Sequence, residues 1–450
     1  MPFSEISQED VVTACKNMKK KLSRTPEGIP SFFITKTISS LVQPLTLIFN
    51  LSLRNNAIPT QWKNAFVVPI FKKGNRQKAG NYRPISLTSS FSRLFESILL
   101  EKMMMYVEDH NLISKHQFGF LPNRSTCSNL LASLNNWLQS YDASISMNVL
   151  YTDIKKAFDT VNHRILIQVL HSYGINVQIV DWITNFLSER NQQVCLNDSV
   201  SSPLSVLSGV PQGSVIGPFL FLLFINGVTS CPSLNVHISL FADDSKVYSS
   251  SPDNLQHTID TMNFWLSERQ LLLAPEKCMM LKINKKSVTN DSTYAIQNQP
   301  VQERLSVKDL GIFISHNLKW SCHVDHICNS ASFISYQLRK TVRSKNIWTC
   351  MDLFTTYIRP KLEYCTPVWC PNLNKDVDRI EDIQRRYTRF VFRKCSIPYS
   401  SYEDRLQKID FMTLKQRREF YDLVLVYKMI NGLSDLHFDD YFSHITPRSP

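Results

Sequence analysis

Apolar residues alternate with their neighbours at Val236, Ile238, Leu240 and Ala242, the period of a half-buried strand. Asp243 and Asp244 break the alternation, and an apolar run resumes after Ser245 and Lys246. The stretch predicts a β-hairpin with both acids at its tip. Further strands are expected over 65–71, 147–154, 278–283 and 310–314, and a hairpin from Gln192–Leu196 and Pro203–Val206 around Asn197-Asp198. In the strand from Met147 to Ile154, the residues Val149, Tyr151 and Asp153 share one face. Apolar spacing of three and four residues predicts helices over 7–21, 32–53, 90–106, 128–140, 161–170, 177–187, 214–226 and 254–270. From Ile327 onward the pattern is helical and basic. The longest uninterrupted apolar run, Pro218 to Ile225, reads as a buried helix, because crossing a bilayer takes about 20 residues.

Composition narrows the class. With 450 residues, 43% of them hydrophobic and 20% charged, the chain is a globular protein of two or three subdomains. The formal net charge of +12 suits a polyanionic partner, nucleic acid before membrane. Eleven scattered cysteines without a C-x-x-C pair indicate free thiols in a reducing compartment. Cys322, His323, His326 and Cys328 lie close together but lack zinc-finger spacing.

Candidate chemistry follows from the acids. Asp153 at a strand end and Asp243 on a hairpin are a plausible pair for two divalent cations, which at a separation of about 4 Å can activate a hydroxyl and steady a leaving oxygen in phosphoryl transfer. Lys72 and Arg83 flank one basic loop and could clamp phosphates. Gly209 and Gly213 leave room beside the backbone for a base or phosphate. The basic C-terminal part mixes Arg with Tyr387, Phe390 and Phe392, a composition suited to gripping a nucleic-acid backbone. Each feature taken singly has a plain alternative: a solvated turn, a solvated basic loop, a solvated helix face.

Their order along the chain is more specific. Asn81-Tyr82-Arg83-Pro84-Ile85-Ser86-Leu87, Gln117-Phe118-Gly119-Phe120 with Arg124-Ser125-Thr126, Asp153 with Ala157-Phe158-Asp159, Gly209-Val210-Pro211-Gln212-Gly213-Ser214 and Phe241-Ala242-Asp243-Asp244 occur in sequence. Together they resemble the reverse transcriptases of non-LTR, LINE-type retrotransposons of the jockey and chicken-repeat kind. The similarity continues through Lys277, Leu310-Gly311 and the stretch from Tyr357 to Tyr364, covering nearly the whole chain.

The resemblance implies an α+β right-hand polymerase. Residues 1–145 would form fingers and part of the palm, 146–326 a palm with a small antiparallel sheet flanked by helices, and 327–450 a helical basic thumb and C-terminal extension. It assigns the metal ions to Asp153, Asp243 and the Ile154 carbonyl, with Asp244 beside them. Phe158 would pack under the sugar and select deoxynucleotides, Gln212 and Gly213 would line the nucleotide pocket with Lys72 and Arg83, and Lys277 would protonate the leaving pyrophosphate. The implied cofactor is Mg2+, two ions, with Mn2+ as a substitute. The implied partners are an RNA template, a DNA primer and dNTPs, with no membrane. Related elements carry an endonuclease ahead of this region, so that activity is expected to come from elsewhere. The expected setting is intracellular, nucleus or cytoplasm, as a ribonucleoprotein. The alternative is a truncated, inactive copy that only binds RNA. The loop from Ser23 to Pro30 resembles the family's template-contacting segment, with Glu27 where Asp is commoner.

Overall fold

A computed structural model describes the chain except residues 3–4, 24, 198, 285–292, 399 and 444–450. Helix α1 (Gln8–Asn17) opens on a reciprocal cap, in which the Ser7 hydroxyl accepts from the Asp10 N–H and the Asp10 carboxylate accepts from the Ser7 N–H. It ends four residues before Lys21, the expected limit, because the lysine-rich stretch that follows has no apolar face to bury. Helix α2 (Ser31–Arg54) is 24 residues long and is the one helix among the described residues long and apolar enough to cross a membrane. Helix α2 is therefore longer than the uninterrupted apolar run Pro218–Ile225; scattered polar residues break its apolar run without breaking the helix. It turns Ile34, Leu45, Phe49 and Leu53 into the core, where Phe49 stacks on Phe95 with ring centroids 4.7 Å apart.

Strands β1 (Asn64–Phe71) and β2 (Tyr82–Leu87) make an antiparallel hairpin with Ile70 opposite Arg83. Helices α3 (Ser90–Asp109) and α4 (Thr126–Asp142) precede β3 (Met147–Thr152), and α5 (His163–Ser172) and α6 (Val177–Leu187) follow it. Strand β4 (Arg190–Leu196) runs parallel to β1, and β5 (Ser199–Val200) and β6 (Leu204–Val206) pair back onto β4. The hairpin expected around Asn197-Asp198 is thus present, although Asp198 itself lies outside the described residues. Helix α7 (Gly217–Ile225) is buried from Phe219 to Ile225, as its continuous apolar run predicts.

Strands β7 (His237–Phe241) and β8 (Asp244–Ser249) form the expected acid-tipped hairpin, and α8 (Pro252–Glu268) follows. Next come β9 (Met279–Ile283), the short β10 (Ala295–Ile296), β11 (Gln299–Pro300) and β12 (Gln302–Glu303), and a second hairpin, β13 (Ser306–Asp309) with β14 (Ile312–Ser315). The strand expected over 310–314 is corrected here. Leu310 and Gly311 are its turn, at φ of 43° and 99°, and β13 escapes a period search because Val307 is its one apolar residue.

The remainder is helical: α9 (Ser321–Thr341), α10 (Ile347–Leu353), α11 (Arg359–Glu363), α12 (Thr366–Trp369), α13 (Asn374–Lys394), α14 (Tyr402–Lys408) and α15 (Leu414–Ile430). Helix α9 starts at Ser321, so a boundary at His326 falls inside a continuous helix. Its first turn buries His323 beside Val324, and a polar residue type there hides the helical period.

A five-stranded sheet in the order β12-β9-β3-β8-β7 separates two apolar cores. Along β3 the alternation is strict: Leu150 belongs to one core, Met147 and Val149 to the other. The first core gathers α1 to α3 and α5 to α8, whereas the second lies between the sheet and helices α4 and α9 to α15. Asp153 emerges from the end of β3, the central strand of this sheet.

Candidate active site

Register brings the expected acids together. Strands β3 and β8 are antiparallel with Tyr151 opposite Lys246 and Thr152 opposite Ser245. One step further along the same register sets Asp153 across from Asp244, on the face shared with Val149 and Tyr151. The Asp153 carbonyl accepts from the Ala274 N–H and the Lys155 N–H donates to the Leu272 carbonyl. Those bonds pin the chain on both sides of the buried Ile154. Asp153, Asp244, Lys246, Lys277 and Asp309 line one cavity of about 190 Å³.

The β7–β8 turn is held from a distance. Phe241 pairs with Asp244, which leaves Ala242 and Asp243 as the two turn residues. Ala242 has φ of 58°, a conformation that costs a residue with a Cβ roughly 1 kcal/mol or more. The buried Gln117 offsets that cost, because its Oε1 accepts from the N–H of Ala242 and from that of Gly119, each at 2.9 Å. A Cβ on Gly119 would lie 2.4 Å from the Ala242 nitrogen, so only glycine lets this loop touch the turn. Asn129 of α4 adds a third tether, donating to the Ser239 hydroxyl and the Leu240 carbonyl. Sequence reading registered Gln117 and Gly119 as a motif without finding what they do.

The electrostatics follow from this crowding. Burial raises the Asp243 carboxyl and the charge of Asp153 adds to the rise, while Lys72 and Arg83 pull it down. Asp244 keeps contact with solvent at the hairpin edge. Even so, the protein packed around it and the charges of Asp243, Asp309 and Asp153 push its carboxyl up to about 6, against Lys72. Lys72 and Arg83, on exposed positions of the β1–β2 hairpin, therefore face the acids across the site. Lys277 donates to the Asp153 carboxylate at 2.7 Å, and that bond raises its pKa.

Beneath Asp244 lies an ion pair that the sequence did not disclose. Lys246 Nζ meets Asp309 Oδ2 at 2.7 Å, and both side chains are almost wholly buried. It ties the acid hairpin to the β13–β14 hairpin. The signal was present as a lysine inside an otherwise buried strand.

Among the described residues no three His, Cys, Asp or Glu side chains close into a ready-made metal site. The site instead offers hard carboxylate oxygens from Asp153, Asp243 and Asp244. That donor set fits a divalent ion that takes one or two carboxylates and completes its shell from water and substrate phosphate, as Mg2+ does. Asp153, which already accepts a cationic ammonium from Lys277, fits the same role.

The remaining expected residues divide. Phe158 is half-buried, its ring stacked on Phe221 at 4.4 Å, with Phe120 edge-on. Gln212 donates through Nε2 to Asp159 Oδ1 at 2.7 Å. The space expected beside Gly209 and Gly213 for a base or phosphate is a correction. A Cβ on Gly209 would lie 2.6 Å from the Asp159 carbonyl oxygen, and one on Gly213 would lie 2.1 Å from that of Ser86. Both glycines sit at positive φ, and both are required because protein backbone fills that space. The Ser86 N–H donates to the Gln212 carbonyl at 2.7 Å, lacing the loop to β2. Glu27 accepts from the Ser90 N–H and the Ser89 hydroxyl, so this residue caps the start of α3.

Comparison with known proteins places this geometry. Residues 70–314 match the family profile described as reverse transcriptase (RNA-dependent DNA polymerase). A probable RNA-directed DNA polymerase from transposon BS of Drosophila melanogaster is 27% identical over 87% of the chain and 45% of its own length. The RNA-directed DNA polymerase from mobile element jockey of the same species is 27% identical over 87% of the chain and 44% of its own length. The chain thus spans less than half the length of these curated relatives. Among solved structures, apo telomerase from Candida Tropicalis aligns with a TM-score of 0.46 at 12% identity, over 81% of the chain and 65% of its own.

Proposed function

We propose that this chain, which belongs to the reverse transcriptase (RNA-dependent DNA polymerase) family, extends a DNA 3′-hydroxyl on an RNA template as part of a non-LTR retrotransposon. The observation that carries the reading is the shared register that sets Asp153 across from Asp244, beside Asp243 in the turn, with Lys72 acting on both turn acids and Arg83 on Asp243. Bound divalent ions, Mg2+ with Mn2+ as a substitute, would activate the attacking hydroxyl and steady the leaving oxygen, held by Asp153, Asp243 and the Ile154 carbonyl.

The chain's own residues supply the rest. Lys72 and Arg83 hold the triphosphate of an incoming dNTP. Phe158, backed by Phe221, packs under the sugar and obstructs a ribose hydroxyl. Gln212, oriented by Asp159, borders the nucleotide. Lys277 exchanges its bond to Asp153 for the departing pyrophosphate and gives it a proton. In this reading residues to about 145 act as fingers, the sheet around β3 as palm, and the helices from α9 as thumb. Free thiols at all eleven cysteines support an intracellular ribonucleoprotein.

The test is primer extension on an RNA template with dNTPs and Mg2+. Wild type extends the primer, and Asp243→Asn loses extension while keeping RNA affinity. Equal background incorporation by both proteins, with RNA still bound, selects the inactive RNA-binding copy instead.

A further inference from the structure

Helices α9 and α13 run side by side in the same direction. Near their starts Ser321 donates to Asp376 and Arg379 meets Asp325 and Asn329. Near their ends the Arg339 guanidinium lies 5.2 Å from the Phe390 ring centroid. The shared start rests on β14, where His323 Nδ1 accepts from the Phe313 N–H. The shared end therefore lies away from the β13–β14 hairpin that carries Asp309, with Arg339 roughly 27 Å along α9 from Ser321 at ~1.5 Å per residue.

At that end the two helices leave a groove of about 610 Å³ lined by Arg339, Arg386, Arg389, Phe390, Arg393 and Lys394. No carboxylate is among the lining groups. Arg386, Arg389 and Arg393 follow the spacing that puts residues on one helix face, and all three are exposed. Among the described residues none of them forms an ion pair. Arg339 Nε is buried without a hydrogen-bond partner, and the neighbouring Arg386 charge lowers the Arg339 pKa further after burial. Cations so assembled repel one another unless an anion lies between them.

A second depression, about 90 Å³, continues from the groove past Arg339 and Arg386 to Tyr336. Tyr336 and Phe333 expose 54% and 62% of their surfaces, three residues apart on α9, and Lys340 Nζ sits 4.8 Å from the Tyr336 ring centroid. Exposed rings beside a cationic track are what unpaired bases and their phosphates require: the rings offer a stacking surface and the track follows the backbone. A double helix keeps its bases stacked inside and has no use for the rings.

We infer that the distal groove between α9 and α13 is a binding site for single-stranded RNA, separate from the copying site, with Arg386, Arg389 and Arg393 on the phosphates and Tyr336 under a base. It rests on the groove's charge and rings, and its test needs neither nucleotide nor divalent ion, so failure of the polymerase reading leaves it standing. The probe is an unstructured, labelled RNA of about 30 nucleotides, titrated at several salt concentrations. Expected for Arg386→Gln/Arg389→Gln/Arg393→Gln is a loss of about tenfold or more in affinity, with a salt slope smaller by about 2. The same three positions as Lys keep most of the affinity. Tyr336→Ala loses about tenfold with the slope unchanged. A DNA–RNA hybrid of about 10 base pairs in excess leaves the RNA bound. Wild-type affinity and slope in the Gln variant would overturn the proposal. So would equal losses in the Gln and Lys variants, or displacement of the RNA by the hybrid.

Discussion

Lys246 and Asp309 show how one residue can govern the acids without touching substrate. Their pair is buried on both sides, and burial lowers the Lys246 pKa against the pull of Asp309. Removing one partner strands the other charge, a loss of about 3–5 kcal/mol. Lys246→Met and Asp309→Leu should each lower the denaturant midpoint sharply, and the two together should recover most of the stability in urea titrations. If the double variant is as unstable as the singles, the pair is not what ties the two hairpins. Asp244 makes a prediction of its own. Its folded value of about 6 exceeds the ordinary 3.8, so ionisation is penalised in the folded state. That penalty is absent below pH 3.8 and complete above about 6. Metal-free Asp244→Asn should therefore match wild type near pH 4 in thermal unfolding and gain on it as pH rises to about 7, with Mg2+ closing the gap. A difference that stays constant with pH would contradict the crowding at this carboxylate. Residues of this kind were half legible: the acids broke a strand period, whereas Lys246 gave no sign of its partner 63 positions away.

Among the elements, the acid hairpin was readable because alternation sets its strands and two charged residues end it. What holds its turn was not readable. The Gln117–Ala242 bond spans 125 positions, and no local pattern announces a side chain that reaches another segment's N–H. The glycine-rich loop misled for a related reason, since a missing Cβ announces a close approach but not by what. Here Ser86 and Asp159 backbone fill the gap. Gly119→Ala tests the clamp most directly, because its Cβ must push the Ala242 nitrogen away from 2.4 Å. Expected is a fall of about 100-fold in primer-extension kcat, the order that a displacement near 1 Å costs at a reacting centre, with the circular dichroism spectrum and RNA affinity retained. Retained kcat would show that the turn keeps its place without this contact.

For the molecule as a whole, helical pattern and charge marked the C-terminal third, but an amphipathic helix does not name the surface it covers. The structure makes those helices the second lid of the central sheet. Val149, Leu281 and Ile283 are fully buried against them, and Tyr364 of the helical part donates to the Leu310 carbonyl and accepts from the Thr126 hydroxyl of α4. A division at His326 would cut α9 after its first turn and bare that face of the sheet to water, at about 25 cal/mol for each Å² of apolar surface exposed. The two cores share β3, β8 and β9, so neither can melt alone without stripping the strands that carry Asp153 and Asp244. The 450-residue chain should therefore unfold in a single transition seen alike by tryptophan fluorescence and far-ultraviolet circular dichroism. The fragment 1–326 should be insoluble or bind a hydrophobic dye, because α4 is left to cover that face of its sheet without the helices that follow. A soluble fragment with a cooperative transition of its own would mean that the helices are an appended domain, and the acids would then owe their position to the first core alone.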